Sequence, residues 1–149
     1  MKLDLSTFLK RDELPFRSLE EAKEYVAKYT LNFINIELEG LPKEEWENTL
    51  KTWVKIFAFA RELLKLPQER RKEVYRKYNF DSMMEGIMED AVKVLYGFYS
   101  LGILKPEDKP HKALEKATEL IENEEELLKR EGIKRENLKF IKEFLKKFN

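Results

Sequence analysis

The sequence predicts an all-α fold: a single domain, residues 1–149, of about six helices in an up-and-down or orthogonal array. Three observations carry this. Apolar residues recur at three- and four-residue spacing along most of the 149 positions, the period of one helix face. Strong helix formers dominate the charged residues, with 24 Glu against 5 Asp and 21 Lys against 8 Arg. β-Branched clusters and period-two alternation are nearly absent, so no strand is expected.

The first helix starts at Ser18. Ser18-Leu-Glu-Glu21 has the form of a capping box, in which hydroxyl and carboxylate satisfy backbone donors that the helix start leaves unpaired. Before it, Ser6 suits a short turn over Phe8 and Leu9 that Pro15 ends. After it, Leu19, Ala22, Val26, Tyr29, Phe33 and Ile36 form one stripe, and Gly40 stands where a C-terminal cap belongs. Pro42 suits the first position of a second helix, with Glu44, Glu45 and Glu47 at the positive end of its dipole. Trp46, Leu50, Trp53, Phe57, Ala60 and Leu64 make its stripe, and Val54, Ile56, Ala58 and Phe59 add apolar surface on other faces. A helix apolar nearly all round is enclosed by others, so this one is expected at the centre.

Pro67 opens a shorter helix to about Tyr78. Asp81 or Ser82 caps a fourth, with Met84, Met88, Ala91, Leu95 and Phe98 facing inward and Gly102 at its end. Gly86 and Gly97 lie inside it, each costing about 1 kcal/mol relative to Ala; close approach of a neighbouring helix would account for them. The segment Lys105-Pro-Glu-Asp-Lys-Pro110 reads as a linker, and 105–110 is the candidate for an internal sub-boundary. Ala113 to about Glu131 and Lys134 to Phe148 then read as two antiparallel helices joined at Gly132.

Composition removes many chemistries. With no cysteine, disulfides, thiol catalysis, zinc fingers and iron–sulfur clusters are out. One histidine, His111, supplies neither a helical di-iron site nor a triad placed beside a nucleophile. It is expected to be an exposed polar residue at a helix start. No P-loop or G-x-G-x-x-G is present. Pairs such as Glu21–Glu24 and Glu44–Glu47 superficially match the magnesium-binding carboxylates of all-α nucleotide pyrophosphatases. The spacing occurs four times, no more often than this Glu content gives by chance, and acids are favoured in first turns anyway. The enzymatic reading is therefore remote, with no catalytic residue, metal or cofactor expected. Net charge is zero, against a whole-molecule polyanion binder. The stretch Trp53–Ala60 carries Lys55 and falls far short of the roughly 20 residues of a membrane helix. Residues 1–17 carry both charge signs and do not read as a signal peptide. A cytoplasmic protein is expected, and Lys/Glu enrichment with a single Gln suggests a hyperthermophile.

What is left points to interaction. Met83, Met84 and Met88 are assigned to the core. In the third helix, Glu69–Lys72, Glu73–Arg76 and Glu73–Lys77 are spaced to pair, while Arg71 falls inside the apolar arc of Val74, Tyr75 and Tyr78. It must snorkel out or meet an anionic group at an internal or external interface. In the last helix, Leu138, Phe140, Ile141, Phe144, Leu145 and Phe148 fall within about 160° of the wheel. Arg135, Lys139, Lys142 and Lys146 gather within about 60° on the other side. The acids Glu119, Glu122, Glu124, Glu125 and Glu126 on the preceding helix are expected to satisfy those bases. The leading expectation is a non-catalytic protein-interaction module that docks on a protein or on itself as a homodimer. The alternative is a nucleic-acid-associated protein using the basic stripe. The candidate interaction residues are Arg71, Arg135, Lys139, Phe140, Lys142, Phe144, Lys146 and Phe148.

Overall fold

The computed structural model describes residues 16–33, 37–120, 129 and 134–148. Its helices are α1 (Leu19–Phe33), α2 (Lys43–Leu63), α3 (Gln68–Lys77), α4 (Ser82–Ser100), α5 (His111–Glu119) and α6 (Arg135–Lys147). No strand occurs among the described residues, and the fold is all-α. The turn at Ser6, the Ile36 end of the first stripe, the acidic run at 122–126 and the joint at Gly132 lie outside the described residues.

Local signals define most helix ends. The Glu21 amide donates to Ser18 Oγ at 3.2 Å, and the Glu21 carboxylate accepts from the Arg17 amide at 2.7 Å. The box is thus reciprocal but shifted by one residue at its return bond. Pro42 and Pro67 sit one position earlier than predicted, as extended residues before the first helical turn, with ψ 145 and 158. Asp81 caps α4, its carboxylate accepting from the Met84 amide at 2.8 Å. α4 closes on Gly102 at φ 72, where Ile103 N–H reaches back to Phe98 O at 2.9 Å. This is a Schellman turn, which needs the left-handed conformation glycine tolerates. Asn79, φ 57, does the same after α3, with Phe80 N–H on Tyr75 O. Gly40 has no positive φ and forms no such cap.

α2 packs chiefly on α4, α5 on α6, and α1 on both α4 and α5. Buried residues of all six described helices form one continuous apolar cluster. The centre of that cluster is not where the stripe arithmetic put it. α2 leaves Asn48, Lys51, Thr52, Lys55 and Glu62 exposed, whereas from Ala91 to Tyr99 of α4 only Lys93 is exposed. The reason is in the composition: Val94–Leu104 carries no charge at all, so no face of that segment requires water. No described helix is long and apolar enough to cross a membrane.

Two further expectations are corrected. Of the three clustered methionines only Met88 is buried; Met84 is half-buried and Met83 is 72% exposed. Gly97 is closely approached, but by a ring rather than a helix: a Cβ there would lie 2.1 Å from Cε2 and Cζ of Phe16. Gly86 has nothing near it, so packing does not explain that glycine. The proline-rich linker is held in place. The Arg61 guanidinium donates to the carbonyls of Asp108, at 2.9 Å, and Pro106. Asp108 Oδ2 accepts from the Lys105 amide at 2.9 Å, and Leu104 is buried.

Candidate interaction site

The eight residues singled out from sequence fall in three places. Arg71 is internal. Its Nε and Nη2 donate to the two carboxylate oxygens of Glu89 on α4, at 3.0 and 3.3 Å, and Nη1 donates to Leu66 O. Tyr75 Oη donates to the same carboxylate at 3.1 Å. Burial, then the neighbouring Glu89 charge, push the Tyr75 hydroxyl up, so it stays a donor. The anionic group that Arg71 required is therefore inside the chain. By contrast, the predicted pairs of Glu69 with Lys72 and of Glu73 with Arg76 and Lys77 are not formed among the described residues. The salt bridges that do form along helices are elsewhere, such as Lys112–Glu115 at 2.8 Å. Exposed charges lose side-chain entropy on pairing and gain little in water.

The bases of α6 form the second group. Lys139 and Lys146 are exposed and make no ion pair among the described residues. Arg135 and Lys142 already engage other groups of the chain. Glu119 pairs with Lys116 at 3.4 Å rather than with α6; the other acids expected opposite these bases lie outside the described residues.

The third group is the aromatic one, and it builds the site. α6 buries Leu138, Ile141 and Leu145 as it packs on α5, and Asn137 Nδ2 donates to Glu39 Oε1 at 3.0 Å. That seating leaves Phe140, Phe144 and Phe148 at the margin, each half-buried. Phe140 meets the Trp46 ring edge-to-face at 5.8 Å, and Phe148 meets Phe144 at 5.8 Å and His111 at 5.4 Å. Lys43 Nζ lies 5.9 Å from the Trp46 ring centre. Between α2 and α6 this leaves a groove of about 440 Å³, lined by the three phenylalanines with Glu47 and Lys51 on one rim and Glu143 and Lys147 on the other. None of these four charges makes an ion pair among the described residues. Periodicity located the phenylalanines. Nothing in it could supply Glu47 and Lys51, which come from a helix distant in sequence.

His111 was expected at the surface and is 7% exposed. It opens α5 and lies against the Phe148 ring. Burial pushes its imidazole below the ordinary value, against Glu115 and with the help of Lys112 and Lys109. The unfolded chain therefore takes up this proton as pH falls through about 6.5, before the folded chain does. The stability tied to neutral His111 is complete above that pH and is lost progressively below it. Thermal midpoints measured from pH 7.5 down to pH 5, roughly across that titration, should fall more steeply for wild type than for His111→Gln. Parallel curves would show that His111 titrates alike in both states.

Among the described residues no group of three or more His, Asp or Glu side chains is placed to hold a metal ion. Glu24 lies beside Lys28, at 3.9 Å, and Glu21 is spent on the α1 cap. These described residues define an all-helical protein with an aromatic groove between two helices. Compared with known proteins, the chain matches no family model and no solved structure.

Proposed function

We propose that this protein is a non-catalytic interaction module and that the α2–α6 groove is its docking site. One observation carries the reading: three phenylalanines, each only half-buried, share a groove edged by four charges that make no ion pair among the described residues. Large aromatics that are partly seated but still accessible are the usual anchors of protein interfaces, and unpaired charges at the rim select the partner's orientation. The volume also suits a set of side chains from another polypeptide. On composition alone, we place the protein in the cytoplasm of a hyperthermophile. No cofactor enters this reading.

The test is affinity capture from the native cell with tagged wild type, Phe144→Glu and Lys139→Glu. A polypeptide retained in stoichiometric amount by wild type and by Lys139→Glu, and lost with Phe144→Glu, is the expected result. Identical retention by all three would remove the groove from consideration. The basic stripe is the weaker alternative, because Arg135 and Lys142 are already engaged.

A further inference from the structure

The occupant of the groove can be read from the order of its charges. The Trp46–Phe140 contact sets the start of α2 beside Phe140. Glu47 follows directly, and Lys51 comes one turn later on the same groove wall. Along α6, Glu143 lies toward Phe140, while Lys147 lies toward Phe148. Both rims run in the same sense, because Arg61, near the end of α2, holds the Pro106–Asp108 turn just before His111, and His111 lies against Phe148 at the end of α6. The groove has an acidic end, Glu47 and Glu143, and a basic end, Lys51 and Lys147.

We propose that a second copy of this chain covers the groove face to face, about a two-fold axis that crosses it close to Phe144. The proposal rests on the docking role argued above and names the partner. A two-fold interface brings one patch against itself reversed. A patch of one sign would then repel its own copy, whereas a patch with an acidic and a basic end is its own complement. Reversal lays Glu47 and Glu143 of one copy toward Lys51 and Lys147 of the other, and the converse, so all four charges of each copy meet the opposite sign. The aromatic residues obey the same symmetry. Positions 140 and 148 are equally far from 144, about 6 Å on either side at helical rise. Reversal about Phe144 therefore sets Phe140 against the second copy's Phe148, and Phe144 against its own counterpart. Glu143 and Lys147 are centred on position 145, a displacement of about 1.5 Å that side chains absorb. A partner carrying charge of one sign would leave half of the rim repelled.

The experiment is sedimentation equilibrium of the full chain over a concentration series. Wild type should sediment as a dimer, and Phe144→Glu as a monomer. Glu143 and Lys147 are exposed, so their reversal leaves folding intact, which circular dichroism checks. Glu143→Lys alone places like charges together twice per dimer and should weaken the dimer by about tenfold or more. Glu143→Lys/Lys147→Glu restores opposite signs and should recover affinity to within about threefold of wild type. A wild-type chain that stays monomeric at roughly 0.5 mM, well above the working range of specific dimers, overturns the proposal. So does a dimer indifferent to Phe144→Glu and to the single reversal, or a double reversal no tighter than the single. A monomeric chain that still captures a different protein through Phe144 overturns the second copy and leaves the docking role standing. A monomer with no Phe144-dependent capture removes both.

Discussion

Arg71→Glu is expected to lower stability by about 3 kcal/mol, the lower end of the range for breaking a buried ion pair from one side. The value sits at that end because the Arg71 and Glu89 side chains keep 14% and 19% exposure. Three losses combine. The two-pronged pairing with Glu89 disappears, a second carboxylate is placed against the first, and the Leu66 carbonyl loses its guanidinium donor. Tyr75 Oη is left as the remaining donor to Glu89 named by the geometry. Arg70→Glu is the control. Arg70 is adjacent in sequence but exposed, and such changes stay within about 0.5 kcal/mol. In a chain of this size the difference amounts to roughly 10 °C in Tm. Arg71→Glu/Glu89→Arg should recover part of the loss, since it restores opposite charges in one buried place. Equal melts for the Arg71 and Arg70 variants would show that the α3–α4 ion pair contributes nothing.

The second large effect concerns two glycines in one helix. Gly97→Ala should destabilise by up to about 3 kcal/mol, the cost of forcing atoms into a filled site. A methyl at Gly97 would enter the Phe16 ring, which is 1% exposed and held by Tyr25 and Phe98 at 5.6 and 6.1 Å. Gly86→Ala should do the reverse and stabilise by about 1 kcal/mol, because its site is open and alanine favours the helix. Urea titration of the two variants measures both signs. Phe16→Ala/Gly97→Ala should lose less than the sum of its single changes, since the added methyl occupies space the ring vacated. Two glycines with effects of the same sign would mean that Phe16 does not seat on α4.

The candidate site was half legible. Phe140, Phe144 and Phe148 were found by periodicity, because a helix repeats every 3.6 residues whatever surrounds it. Their role as one wall of a groove was not, since the other wall, Glu47 and Lys51, belongs to α2. Arg71 was picked out as a charge on an apolar arc, and its partner could not be named because Glu89 lies on another helix. The burial of His111 is hidden from the sequence for a related reason. A polar residue after a proline looks exposed until Phe148, from the far end of the chain, is laid over it.

The sequence by itself determined the all-helical class and where several helices begin and end. Ser18 with Glu21, Asp81 with Met84, and Gly102 after α4 act on backbone groups within a few residues of themselves. Such bonds form in the same way wherever the helix is placed. Only the tertiary structure decided that α4 rather than α2 is the most enclosed, that Phe16 explains Gly97, and that Arg61 holds the turn at Pro106 and Asp108. Each of these joins residues far apart in the chain. Every such contact depends on which face of one helix meets which face of another. Periodicity tells that a helix has an apolar face; the angle and depth at which two faces meet come from packing all the side chains together.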